Sequence, residues 1–133
     1  MNPRLFLIFF FFLLANLAHA QDSLITAKKT LVDSIMNVSK SKLMKETITT
    51  DTKLPISIFI NQDQSITLYY YDSDNICNQC ASTYKNTNVD AVKKIINQRF
   101  DEQDETHWLR RDKKVKAELV ILKELIVVKY TKV

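Results

Sequence analysis

The residues whose types and spacing could do chemistry are Cys77 and Cys80, the chain's two cysteines, spaced C-x-x-C within the polar stretch Tyr70 to Asn88, YYDSDNICNQCASTYKNTN. Three chemistries fit such a pair: thiol–disulfide exchange, metal ligation and a covalent staple. Exchange wants a strand followed by C-x-x-C at a helix start, because helix amides and the macrodipole stabilise the first thiolate. The strand is there as TLYYY, but ASTYKNTN after the motif is rich in turn-forming Ser, Thr and Asn. Pro3 and Pro55 are the only prolines, so none follows the motif to build a cis turn facing a disulfide. A structural zinc site wants four Cys or His ligands, and beyond residue 20 the chain offers only Cys77, Cys80 and His107. The preferred reading is a local intramolecular disulfide, Cys77 to Cys80, in a loop outside the core. A ring that small contributes well under the ~3 kcal/mol of a 15-residue loop. The alternative is a small thioredoxin-like oxidoreductase in which Cys77 attacks and Cys80 resolves.

Other constellations are thin. His107 has no second histidine for relay chemistry in the mature chain. The acids Asp72 and Asp74, and Asp101 with Asp104 or Glu105, lack the ordered ligands and central glycine of a calcium loop, and they read as solvated turns. No metal, cofactor or catalytic set is expected. Glycine is wholly absent, which removes phosphate-cradling loops, dinucleotide fingerprints and the G-x-S-x-G elbow. Turns that need positive φ are then expected to use Asn or Asp. The run Arg110-Arg111-Asp112-Lys113-Lys114 reads as a solvated basic turn, too small a patch for nucleic acid. Tyr69, Tyr70 and Tyr71 form an aromatic run in which 69 and 71 share one strand face and 70 the other, a candidate partner surface.

The compartment decides how thiols behave. MNPRLFLIFFFFLLANLAHA has one basic residue, an apolar run from Leu5 to Leu17 and the small-x-small ending Ala18-His19-Ala20. That pattern predicts a secretory signal peptide over residues 1–20, cleaved before Gln21, and hence a secreted or periplasmic protein. The apolar run falls short of the roughly 20 residues of a bilayer span, so no membrane span is expected in the mature chain. An oxidising compartment favours disulfides. What remains is residues 21–133, enough for one small domain, with the formal charge of the full chain at +4. The sequon Asn37-Val38-Ser39 carries meaning only in a eukaryotic secretory route.

The elements that must position these residues follow from periodicity. Asp22 or Ser23 caps a predicted helix whose apolar residues Leu24, Ala27, Leu31, Ile35 and Val38 follow the helical repeat. LPISIFI and SITLYYY flank the turn formers Asn61 and Asp63 and predict a β-hairpin, with Ile56, Ile58 and Ile60 on the core face. Asn88 caps a second helix with Val89, Val92, Ile95, Ile96 and Phe100 on one side. VKAELVIL and LIVVKYTKV, joined at Lys123-Glu124, predict two further strands, although the first also has helical character. The expected fold is a single α+β domain in the order α-β-β-α-β-β, an antiparallel sheet with both helices on one face. No internal repeat is expected.

That order, with ISIFINQDQSITLYYYDSD, NVDAVKKIINQRF and HWLRRDKKVKAELVI as its stations, resembles the C-terminal domain of TonB-like and TolA-like proteins of the bacterial envelope. The likeness spans roughly Leu54 to Ile121. It departs in lacking turn glycines and the prolines after the helix, and in carrying a C-x-x-C. The resemblance implies a non-catalytic binding module for an envelope or extracellular protein, working by strand addition at a sheet edge.

Overall fold

The computed structural model describes residues 21–85 and 88–133; the expected signal peptide lies outside the described residues. Two short helices, α1 (Lys29–Val38) and α2 (Val89–Asn97), accompany eight strands: β1 (Lys42–Ile48), β2 (Pro55–Ile60), β3 (Ile66–Tyr71), β4 (Cys77–Lys85), β5 (Phe100–Glu102), β6 (His107–Arg110), β7 (Val115–Leu122) and β8 (Leu125–Lys132). All eight belong to one antiparallel sheet, in the order β1-β2-β3-β4-β8-β7-β6-β5. This corrects the expected α+β domain in the order α-β-β-α-β-β: the described residues are mainly one eight-stranded antiparallel sheet with two short helices. The chain writes one helix and a four-strand meander, then writes the same unit again, and the last strand of each half, β4 and β8, pair at the centre. The repeat lies in the order and pairing of the elements.

The strands missed in the sequence each lack the usual signal. β1 is an edge strand whose residues are exposed except for partly buried Thr47, so no alternating burial shaped it, and part of it reads as a frayed helix end. β5 and β6 are only three and four residues long. β4, in the middle of the sheet, is composed of CNQCASTYK, and its small side chains Cys80 and Ser82 lie buried on the helix-covered face.

Cross-strand register fixes the two faces. Ser57, Tyr69, Cys80, Tyr130, Ala117 and Trp108 run across the sheet in one row. Tyr69 donates to the Met36 sulfur of α1 (3.3 Å), and Trp108 Nε1 donates to Asn97 Oδ1 at the end of α2 (2.8 Å). Both helices therefore cover this face. They bury Val32 and Met36 of α1 and Val92 and Ile96 of α2, each pair four residues apart on one helical side. Phe59 meets Tyr69 edge to face, with ring centroids 5.9 Å apart.

The side-chain assignments made from periodicity are reversed on β2 and partly displaced in both helices. Ser57 and Phe59 face the helices, so Ile56, Ile58 and Ile60 lie on the opposite, helix-free side. Residues 21–28 form a 3-10 turn at Gln21–Leu24 and an isolated bridge from Lys28 to Ile76 rather than the start of α1. That resets the helical phase and leaves Leu31 and Val38 about half exposed. In α2 Val92 and Ile96 are buried as expected, and of that predicted face only Ile95 turns outward. Asn88 does cap α2, its side chain accepting from the Asp90 amide at 2.9 Å. The turns also depart from expectation: of the six positive-φ residues among those described, only Asn75 is an Asn or Asp, the others being Thr26, Lys40, Lys53, Gln64 and Lys113.

Candidate functional site

Cys77 and Cys80 are both free thiols, fully buried, in strand β4 and not in a loop. Three residues along an extended strand span about 10 Å, beyond the ~7 Å that a disulfide tolerates between Cα atoms. A regular strand would also send them to opposite faces. The register shift at Tyr70/Tyr71, where Tyr70 pairs with Gln79 and Tyr71 with Cys77, bulges β4 and turns both sulfurs into the core. Burial pushes the Cys77 thiol up to about 11, with the Gln79 backbone opposing weakly, and burial raises Cys80 well above its usual value. A reactive thiolate needs the opposite environment, electropositive and accessible. The pair is core packing. Among the described residues no group of three His, Cys, Asp or Glu side chains is gathered as for a metal ion.

The tyrosine run divides as its alternation requires. Tyr69 and Tyr71 are buried beneath α1, and burial raises both phenol pKa values. They are not a partner surface. Beside Tyr71, Ser57 Oγ, Tyr71 OH and Asp33 Oδ1 are buried without hydrogen-bond partners. The Ser57 hydroxyl falls short of hydrogen-bond geometry with Tyr71, yet it draws the phenol partly back toward its ordinary value. Lys29 lies over the Tyr71 ring at 5.9 Å and joins Asp33 (2.9 Å) to Glu46 (2.7 Å), tying α1 to β1.

Tyr70 alone of the three reaches the open face, where it pairs with Ile56. On that face Ile58 pairs with Leu68 and Ile60 with Ile66, and farther across Val127 pairs with Val120. Each of these side chains is partly exposed. Among the described residues no helix or second sheet covers them. The rim is cationic: Lys42 and Lys45 stand beside Ile60 and Ile58 on β1, and Lys129 and Lys116 on the far side, opposed by Glu118. The adjoining edge strand β1 is seven residues long, whereas the other edge, β5, has three. Sequence alternation located the isoleucines but assigned them to the wrong side, because Ser57 and Thr67 look like surface residues and are buried.

The basic run separates into distinct roles. Arg110 reaches inward to Asp22 (3.1 Å) and back to Asp112 (2.8 Å), and Arg99 also meets Asp22 (2.6 Å). Asp22, read from sequence as a helix cap, is instead a buried anchor between two guanidinium groups. Arg111 donates to the carbonyls of Gln98 (3.1 Å) and Asn97 (3.3 Å), placing a cation at the α2 C-terminus. His107 sits on the surface, its Nδ1 2.9 Å from Asp104. The Thr106 amide, then His107, hold the exposed Asp104 carboxyl below its usual range. Asp72 accepts from the Asp74 and Ile76 amides as a turn residue. No helix among the described residues is long and apolar enough to cross a membrane. No family model matches this sequence, and comparison with curated proteins and with solved structures gives no match.

Proposed function

We propose that this chain is a small non-catalytic binding domain, secreted or periplasmic, that takes an envelope or extracellular protein on the open face of its sheet. The observation that carries the reading is the apolar strip of Ile56, Ile58, Ile60, Ile66, Leu68 and Tyr70, left without a covering layer on a sheet whose other face carries both helices and the core. A contiguous exposed apolar patch rimmed by polar groups marks an interaction surface. The lysines flanking it favour a partner whose own apolar surface is bordered by acids. They also oppose face-to-face pairing of two copies, which would bring like charges together. The strand-addition mode implied by the TonB/TolA-like resemblance has a place to act at β1, whose outer side pairs with no other strand among the described residues. The buried, high-pKa cysteines favour a binding role over exchange chemistry.

The test is capture from the host's envelope or secreted fraction with immobilised wild type, Ile58→Glu/Leu68→Glu and a helix-side control, Lys94→Glu. The expected result is a partner retained by wild type and Lys94→Glu and lost by the double variant. Capture that ignores the sheet substitutions, or no capture by any form, contradicts the proposal.

A further inference from the structure

At one end of the sheet, away from the open face, a cleft of about 350 Å³ lies between the turn after the 3-10 segment, the β6–β7 turn and the end of β8. Its cationic lining is Arg110, Lys113, Lys114 and Lys132, and its apolar lining includes Ile25 and Val115. Arg110 is already engaged by Asp22 and Asp112. The three lysines are not: none takes part in any ion pair among the described residues. Asp112 accepts from the Lys114 backbone amide at 2.9 Å, and its carboxylate is held first by Arg110. Lys113, Lys114 and Lys132 border this one concavity, and cationic residues around a concave site raise its potential more than the same charges spread over a convex surface. Ile25 and Val115 are buried, so the floor is firm.

The backbone around the cleft is held in an uncommon conformation. Thr26 has φ 82° and Lys113 φ 62°, and both line the cleft. For a β-branched residue such as Thr26 positive φ is a genuine outlier. It is kept there by its amide, which donates to the Cys77 carbonyl at 2.6 Å, and by the Cys77 amide, which donates to the Ala27 carbonyl. Strain of this kind persists where the surroundings over-determine it, and it gathers at ligand sites.

We propose that this cleft binds a small soluble organic anion, a phosphate or carboxylate head on a short apolar body. The head is held by Lys113, Lys114 and Lys132, and the body lies along exposed Val133, above the buried Ile25 and Val115. The volume accommodates roughly a dozen non-hydrogen atoms at the ~30 Å³ a water occupies in the liquid, near the lower end of ligand pockets. The concave placement of the charges favours a single molecule over a flat anionic membrane. The inference is independent of the sheet-face proposal, since none of these residues belongs to the apolar strip.

The experiment is an amide NMR titration at low salt with hexyl phosphate, hexanol and inorganic phosphate, alongside flotation with phosphatidylglycerol vesicles. Saturable shifts at Thr26, Lys114 and Lys132 are expected with hexyl phosphate, weakly with inorganic phosphate and not with hexanol. Lys113→Gln/Lys114→Gln/Lys132→Gln should weaken hexyl phosphate by at least about ten-fold without changing the melting temperature. Four results overturn the assignment: no saturable shift, equal affinity for inorganic phosphate, an unchanged affinity in the triple variant, or binding to vesicles alone.

Discussion

Ile58 and Phe59 are neighbours on β2 whose side chains point to opposite faces, and their truncation separates a packed face from an open one. Phe59 is 3% exposed, lies against Tyr69 and belongs to the core under α1. Phe59→Ala forfeits burial of a whole ring, leaves a cavity and removes an aromatic contact, which together cost about 4 kcal/mol. Ile58 is partly exposed and paired across the strands with Leu68 on the same face. Ile58→Ala loses part of its burial and leaves no enclosed cavity, so the cost is about 1 kcal/mol. Equilibrium urea unfolding reads both. With m of about 1.5 kcal/mol per molar, the midpoint falls by roughly 2.7 M for Phe59→Ala and roughly 0.7 M for Ile58→Ala. The slope should stay constant. Equal costs, or a larger cost at Ile58, would refute the face assignment, and with it the claim that the isoleucines are uncovered.

Asp22→Asn leaves Arg99 and partly buried Arg110 facing a neutral amide, and unfolding titrations should show a loss of about 2 kcal/mol; a loss under about 0.5 kcal/mol would mean the anchor is solvated. Native protein should give almost no reaction with a thiol reagent such as Ellman's, and both cysteines should react once it is unfolded; full silence in denaturant would reveal a disulfide. Stability should fall on the alkaline side. The folded-state pKa of Cys77 is raised from 9.0 to about 11, so its contribution is complete below pH 9 and is lost as pH rises toward 11. Cys77→Ala should flatten that decline, and an unchanged slope between pH 9 and 11 would show that Cys77 is not its source.

What was legible in the sequence tracks how each segment is buried. β2, β3, β7 and β8 carry β-branched and aromatic runs, and α2 carries its Asn88 cap, so each could be placed from pattern and turn chemistry. β1 could not, because an edge strand with both faces mostly wet leaves no alternation, and its lysines also suit a helix end. β4 was hidden by its residues: Asn, Gln, Ser and Thr around the cysteines have the composition of a loop, and only pairing with β3 and β8 holds them extended. The faces of β2 were inverted for a related reason. Isoleucines outrank Ser57 on any hydropathy scale, yet Ser57 is buried beneath the helix layer while Ile56, Ile58 and Ile60 wait on the open side. The pairing of Asp22 with Arg99 and Arg110 spans 77 and 88 residues, a separation no local pattern encodes.

The central claim is that the helix-free face meets a partner. A photoreactive phenylalanine analogue placed at Tyr70, and separately at Lys94 on exposed α2, reports contacts in the living host whatever the partner's identity. Irradiation should yield a discrete, salt-sensitive adduct from position 70 and none from position 94. No adduct at position 70, or the same adducts from both positions, would contradict the assignment of that face as the binding surface.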